Sequence, residues 1–380
     1  MKIARIEATP FHAERDTTAV TGTAGSPSVL REGKAVYRWA EHYPVVYSTR
    51  FETALVKVTL DSGLVGWGEA QAPVAPEVAC TIVDRILAPI LEGEEFGGAV
   101  PEIEALWWRM YSAMRVRGQT GGFMLDAIAG IDIALWDLAG KIAGCAVCEL
   151  AGGSRKRIPA YLSGLPEGRA EGVRPWIDRG FDRVKLFHHA GEAELFRDCD
   201  AVLGLLPKTG RIAIDALWRL TPENAEAFAD KCAARSALWL EAPLAPESAV
   251  EHAALAHAIK TPVAIGESYR TRFELEPFFA ADALKIVQPD LGRTGITEGL
   301  RIAREAARRG IEVVPHISIA MGPQLAAAIQ FAAAAPNCTM LEFNPNVLAT
   351  ANRYLKTPLK MRDAGYEAPD GIGLGIAPAL

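Results

Sequence analysis

Three acidic residues, Asp215, Glu241 and Glu267, each close a short apolar run and stand 26 residues apart. One strand followed by one helix and their loops consumes about that much chain, so the spacing describes a βα unit repeated with an acid at the same point of each repeat. The pattern extends in both directions. Apolar runs at 159–162, 184–187, 212–215, 238–241, 263–267, 284–290, 313–316 and 340–342 alternate with stretches of helical periodicity. In one of these, Thr221-Pro222-Glu223, a hydroxyl N-cap precedes a proline at the first helical position. Eight parallel strands alternating with helices close most simply into a barrel.

In a parallel barrel the C-terminal strand ends meet at one mouth, where three carboxylates repel one another unless a cation lies between them. Oxygen-only donors on rigid strands suit Mg²⁺, with Mn²⁺ as an acceptable substitute. The plain alternative is three unrelated acids facing solvent, but loop acids need not recur at one fixed point of a repeat. Asp290 and His316 continue the register, again 26 residues apart, and Glu342 follows after a further 26. An aspartate one strand from a histidine predicts a dyad in which the carboxylate fixes the tautomer and leaves the other ring nitrogen to move a proton. Glu342 is either a partner for a substrate oxygen or a solvated strand end. By strand alternation Lys185 faces the mouth together with Phe187; its cation serves a developing oxyanion or pairs with a nearby acid. His188 and His189 follow, and His189 shares the side of Lys185.

The first 124 residues carry strand-like segments at 2–10, 53–60 and 65–70, an Asp61-Ser62-Gly63 hairpin signal, and helical patterns from Val78 and Ile103. They read as a separate α+β unit, as expected for a chain of 380 residues, longer than the ~250–300 at which one core stops growing. The stretch 13–50 has no clean periodicity and holds Tyr37, Arg38, Trp39, His42 and Tyr43; it reads as a lid, with an unstructured insertion as the alternative. The barrel spans 125–345, and 346–380 returns to the first unit. Half of the residues are hydrophobic and the formal net charge is −6, so neither disorder nor a nucleic-acid partner is expected. No leader of the secretory type opens the sequence, and Asp126, Asp132 and Asp137 interrupt the one long apolar stretch, 123–143. A cytoplasmic enzyme without membrane partners is the expectation. Cys145 and Cys148 form the one close cysteine pair, with no second pair to complete a zinc site.

Together, Val184-Lys185-Leu186, Asp215, Trp239-Leu240-Glu241-Ala242-Pro243, Gly266-Glu267-Ser268, Gln288-Pro289-Asp290, Pro315-His316 and Leu341-Glu342 resemble the enolase superfamily, specifically its mandelate racemase subgroup. Leu64 to Ala70, the Ile131 to Asp137 segment and the closing Gly371-Ile372-Gly373-Leu374-Gly375 extend the likeness over nearly the whole chain. The resemblance implies a modified TIM barrel, (β/α)₇β, under an N-terminal α+β capping domain, with Mg²⁺-dependent removal of the proton α to a carboxylate. By position it makes Asp215, Glu241 and Glu267 the metal ligands, Asp290 and His316 the dyad, Lys185 the first lysine of a Lys-x-Lys motif and Glu342 the electrophilic partner. Two departures stand out: Phe187 replaces the second lysine, and Ala242 the second glutamate of Glu-Glu-Pro.

Racemisation needs a base on each face of the enediolate, and phenylalanine accepts no proton. A one-sided site favours elimination. The leading expectation is therefore a hydro-lyase that dehydrates an aldonate or aldarate to a 2-keto-3-deoxy acid, His316 taking the α-proton and then assisting loss of the 3-hydroxyl. A racemase or epimerase of a 2-hydroxy acid, with His189 as second base, is the runner-up, and a non-catalytic acid-sugar-binding barrel the third reading. Muconate-type cycloisomerisation ranks lower, because that subgroup uses a sixth-strand lysine where this chain offers Arg293. The partner is a small carboxylate substrate, contacted by Tyr161, Trp39 and Arg270, and a homo-oligomer is expected.

Overall fold

The computed structural model describes residues 1–14, 37–40, 45–165, 170–189 and 191–379. Five strands open the chain: β1 (Ile3–Glu14), β2 (Tyr37–Ala40), β3 (Val45–Ser48), β4 (Arg50–Leu60) and β5 (Val65–Ala70). β1, β4 and β5 form an antiparallel sheet, and β2 pairs with β3 as a separate hairpin. The Asp61-Ser62-Gly63 turn joins β4 to β5, with Gly63 in the left-handed region at φ 82°. The proposed lid therefore overlaps regular structure. Ala13 and Glu14 extend β1, Arg50 begins β4, and the remainder at 15–36 and 41–44 lies outside the described residues.

Helices α1 (Pro76–Ile82), α2 (Ala88–Leu91), α3 (Val100–Arg115) and α4 (Gly122–Ala143) follow, with α4 laid along β5 and β4. The Gly66-Trp67-Gly68 sequence permits that approach, since a Cβ on Gly68 would stand 1.9 Å from the Gly130 carbonyl oxygen. The three aspartates that interrupt the apolar face of α4 each tie it to a different neighbour. Asp126 pairs with Arg270 at 3.0 Å, Asp132 accepts from the Thr297 amide at 2.9 Å, and Asp137 accepts from the amides of Trp67 and Leu374, both at 2.9 Å. Buried carboxylates need such partners, and here those partners join the capping unit, the barrel and the C-terminal segment. Among the described residues no helix is long and apolar enough to cross a membrane.

After α5 (Val147–Leu150) the barrel alternates β6 (Arg157–Leu162), α6 (Arg174–Ile177), β7 (Arg183–Phe187), α7 (Glu192–Leu205), β8 (Arg211–Asp215), α8 (Pro222–Ala234), β9 (Leu240–Glu241), α9 (Ala249–Ala258), β10 (Val263–Ile265), α10 (Arg272–Ala280), β11 (Ile286–Val287), α11 (Leu291–Arg308), β12 (Glu312–Val313), α12 (Pro323–Ala334) and β13 (Leu341–Phe343). β6 to β12 pair in parallel in sequence order, β13 pairs with β6, and a bridge from Val313 to Cys338 closes the ring. β10 to β12 stop short of the ends of the apolar runs that announced them, and the last residues of those runs, Glu267, Asp290 and His316, lie past the strands at the mouth. Asp290 and His316 meet again there as an isolated parallel bridge. Beyond α13 (Pro345–Arg353), β14 (Met361–Arg362) and β15 (Gly365–Glu367) return, β15 running antiparallel to β6. Gly373 then exchanges backbone hydrogen bonds with Cys145 and Val147 at the end of α4.

Candidate active site

Asp215 ends β8, Glu241 ends β9 and Glu267 lies two residues past β10; one oxygen of each falls within 4.8 Å of the others. One oxygen of each carboxylate is held by an N–H donor. The Leu217 amide binds Asp215 Oδ1 at 2.9 Å, the Trp239 and Gln288 side chains both bind Glu241 Oε2 at 2.8 Å, and the Trp218 indole binds Glu267 Oε1 at 2.8 Å. Leu217, Trp218 and Ala242 reach these positions in left-handed backbone conformations, φ 54°, 57° and 45°. Such strain in non-glycine residues persists only where surrounding contacts enforce it; here the Trp218 amide donates to the Ala242 carbonyl at 2.7 Å. Burial, and then the charges of Glu241 and Glu267, push the Asp215 carboxyl well above its ordinary range against the pull of Lys185. A pre-oriented, oxygen-only set that is electrostatically crowded in this way fits a hard divalent cation.

Lys185 lies buried among these acids, its Nζ 2.5 Å from Glu241, 3.1 Å from Glu342 and 3.6 Å from Asp215. Burial alone would lower its pKa, but the acids together hold it well above the ordinary lysine value. Of the two roles open to it in the sequence, the geometry displays the ion pair. Glu342 is also buried rather than solvated, accepting from Ser163 Oγ at 2.5 Å and the Ile317 amide at 3.1 Å. Burial would raise its carboxyl, yet Lys185 and His316 outweigh burial and keep it below its usual range.

The Asp290–His316 pair is formed, with Nδ1 2.8 Å from Oδ2. The other ring nitrogen, Nε2, sits 3.1 Å from Glu267, so the dyad abuts the acidic trio. Burial opposes protonation of His316, but Glu267 and Asp290 raise its pKa to about 9. Asp290 Oδ1 is itself held by the Gly292 amide at 3.0 Å and by Gln324 Nε2 at 2.9 Å.

These groups open into a cavity of about 630 Å³ whose lining includes Phe187, His189, Trp218, Glu267, His316 and Arg353, together with Tyr47 and Ser48 from β3. Burial and the Arg219 charge push His189 down to about 4, so its ring is neutral near pH 7. His188 turns away, its ring against Phe228 at 5.3 Å. Two expected substrate contacts are corrected. Tyr161 is completely buried beneath the mouth, edge-on to Trp239 at 5.2 Å: a strand-end position gave neither its direction nor its depth. Arg270 is engaged with Asp126 and the Ser268 carbonyl and does not line the cavity. Trp39 lies on β2, but its side chain is outside the described residues. Sequence reasoning missed Ser163, Gln324 and the anchoring roles of Trp239 and Gln288; the local signal for Gln324 was a glutamine in an α12 that is apolar apart from it and Gln330.

Comparison with known proteins agrees with this architecture. The family model for the mandelate racemase / muconate lactonizing enzyme N-terminal domain matches residues 35–152, and the enolase C-terminal domain-like model matches 169–379. A D-galactarolactone cycloisomerase of Agrobacterium fabrum is 32% identical, over 87% of this chain and 90% of that protein. A D-galactonate dehydratase of Verminephrobacter eiseniae is 31% identical, over 86% and 89%. A crystal structure of an enolase superfamily member from Agrobacterium tumefaciens superposes with TM-score 0.91 at 32% identity, covering 100% of this chain and 97% of that one. The chain belongs to the mandelate racemase and muconate lactonizing enzyme family of the enolase superfamily, with that superfamily's capping domain and modified TIM barrel.

Proposed function

We propose that this chain is a Mg²⁺-dependent acid-sugar dehydratase that converts an aldonate or aldarate to a 2-keto-3-deoxy acid. The observation that carries the reading is the asymmetry of the mouth: His316 stands beside the acidic trio, whereas three strands away around the barrel Phe187 accepts no proton and His189, held down to about 4 by burial and Arg219, is a weak base. His316 Nε2 takes the proton from the carbon α to the substrate carboxylate, and Asp290 holds the Nδ1–H throughout. The same Nε2–H is then delivered to the departing 3-hydroxyl, water leaves, and the enol tautomerises to the ketone. The Lys185 cation, buried beside the trio, favours the negative charge that develops on the carboxylate oxygens. Mg²⁺ held by Asp215, Glu241 and Glu267 would supply Lewis-acid stabilisation of that charge. Arg353 at the cavity wall suits a second carboxylate, since a guanidinium binds one through two parallel N–H bonds. This favours an aldarate.

The test is a screen of aldonic and aldaric acids with Mg²⁺, read as semicarbazone absorbance of the 2-keto product. His316→Asn should abolish turnover while leaving metal binding intact; dehydration retained in that variant would remove the base assignment. A second reading, favoured by the likeness to the cycloisomerase, uses the same proton abstraction on a lactone whose ring oxygen occupies the β position. Ring opening then replaces water loss, and the product keeps the substrate's mass instead of losing about 18 Da. An epimerase would return deuterium-labelled substrate of both configurations from D₂O. A homo-oligomer located in the cytoplasm completes the proposal; light scattering of the purified chain reads the assembly.

A further inference from the structure

The base does not stand alone on its own domain. Glu69, the penultimate residue of β5 in the capping unit, is fully buried and accepts from the Met321 amide at 2.7 Å, the Gln324 amide at 3.0 Å and Thr53 Oγ1 at 2.9 Å. The first two donors belong to the barrel and lie at the N-terminus of α12, whose N-cap residue is Gly322 and has no side chain to offer. A carboxylate from the other domain therefore does the work of an N-cap. Gln324, fixed through its backbone in this way, sends its side-chain Nε2 to Asp290 Oδ1 at 2.9 Å, and Asp290 Oδ2 holds His316 Nδ1 at 2.8 Å. Two residues along from Glu69, the Gln71 amide donates to the Gly292 carbonyl at 2.8 Å, and the Gly292 amide is the second donor to Asp290 Oδ1, at 3.0 Å.

Both donors that fix Asp290 are thus fixed in turn by one three-residue stretch of the capping unit. The fit around them is close. A Cβ on residue 292 would stand 2.3 Å from the Gln324 carboxamide, so a glycine is required there for the glutamine to lie across it.

Resting on His316 as the base, we infer that Gln324 is a positioning residue for the dyad and that Glu69 makes its placement depend on the docked capping domain. With Oδ1 satisfied by two donors, Asp290 presents Oδ2 to the imidazole in one orientation, which fixes a proton on Nδ1 and leaves Nε2, 3.1 Å from Glu267 at the cavity, as the nitrogen that exchanges the catalytic proton. Without the Gln324 donor the Asp290 carboxylate gains a rotational alternative and His316 a second tautomer. The binding of substrate, which involves other residues, is unaffected.

The experiment compares wild type, Gln324→Leu, Glu69→Gln, the double variant and His316→Asn, using whichever acid of the aldonate and aldarate screen gives the largest semicarbazone signal. Gln324→Leu is expected to lower kcat about 10- to 100-fold, the usual scale for loss of a residue that orients a functional group, with KM within about twofold. Glu69→Gln should lower kcat in the same direction, and the double variant should be no worse than the poorer single, because the two act in series. In protein labelled with [¹⁵N]histidine at pH 10, above the value of about 9 to which Glu267 and Asp290 raise His316, the neutral ring should be the Nδ1–H tautomer in wild type and mixed in Gln324→Leu, a readout that needs no substrate. Wild-type kcat and an unchanged tautomer in Gln324→Leu would overturn the inference while an inactive His316→Asn preserved the base assignment. Full activity in His316→Asn would remove the base assignment itself. A kcat loss that merely follows a lowered melting temperature, with the tautomer unchanged, would also overturn the positioning role, and additive losses in the double variant would overturn the link to Glu69.

Discussion

Replacing Lys185 by methionine removes a buried cation from between three carboxylates while conserving most of its volume. Its contacts at 2.5, 3.1 and 3.6 Å are each worth about 4–7 kcal/mol by Coulomb's law at an effective dielectric near 20. Desolvation offsets much of this, and breaking one partner out of a buried ion cluster costs about 3–5 kcal/mol in practice. For 380 residues the unfolding entropy near 60 °C is about 0.8 kcal/mol per degree. The variant should therefore melt about 4–6 °C below wild type in EDTA at pH 8. The deficit should shrink at pH 5, where the orphaned acids can take up protons. Mg²⁺ should raise the melting temperature of Lys185→Met more than that of wild type, because the ion then stands in for the missing lysine charge. A melting temperature within 1 °C of wild type in EDTA, or equal Mg²⁺ shifts for the two proteins, would refute the view that Lys185 neutralises Asp215, Glu241 and Glu342.

Asp132 carries a pH prediction of opposite sign to that of a salt-bridged aspartate. Burial raises its pKa from 3.8 to about 6 despite the Thr297 hydrogen bonds, so the folded state binds this proton more tightly than the unfolded one. Its contribution is full below pH 3.8 and is lost as pH rises to 6, about 3 kcal/mol across that window. Asp132→Asn should flatten the dependence of urea stability on pH between 4 and 6.5, and an unchanged slope would assign that window to other groups. Arg353→Met should raise KM for aldarates by about tenfold or more and leave aldonates within about twofold; equal effects on both acids would show that Arg353 does not read a second carboxylate.

The acids, the dyad and the barrel were legible because a βα repeat converts sequence spacing into angular position at one mouth, and a strand-end residue in that repeat has few places to go. What the period does not carry is depth and partnership. Tyr161 packs with Trp239, Ala213 and Ala264 inside the barrel below the mouth, a placement that spacing did not supply. Arg270 is consumed by Asp126, 144 residues away, and no local pattern announces such a pair. Gln324 and Glu69 were silent for the same reason: they meet across the domain boundary, where contact is decided by packing of units whose relative placement no repeat encodes. The lid expectation overreached at both ends, since strand alternation in β1 and β4 continues into 13–14 and 50.

The indole of Trp239 donates to Glu241 and that of Trp218 to Glu267, both at 2.8 Å. Two chromophores are thus joined through one proton each to the groups that would grip an ion. An indole excited state moves electron density away from its N–H, so its emission energy responds to the charge on the oxygen that accepts that hydrogen. The molecule carries its own optical gauge of occupancy, one ring buried and the other at the cavity wall. Because six other tryptophans also emit, each of the two is read as the difference from a Trp218→Phe or Trp239→Phe variant.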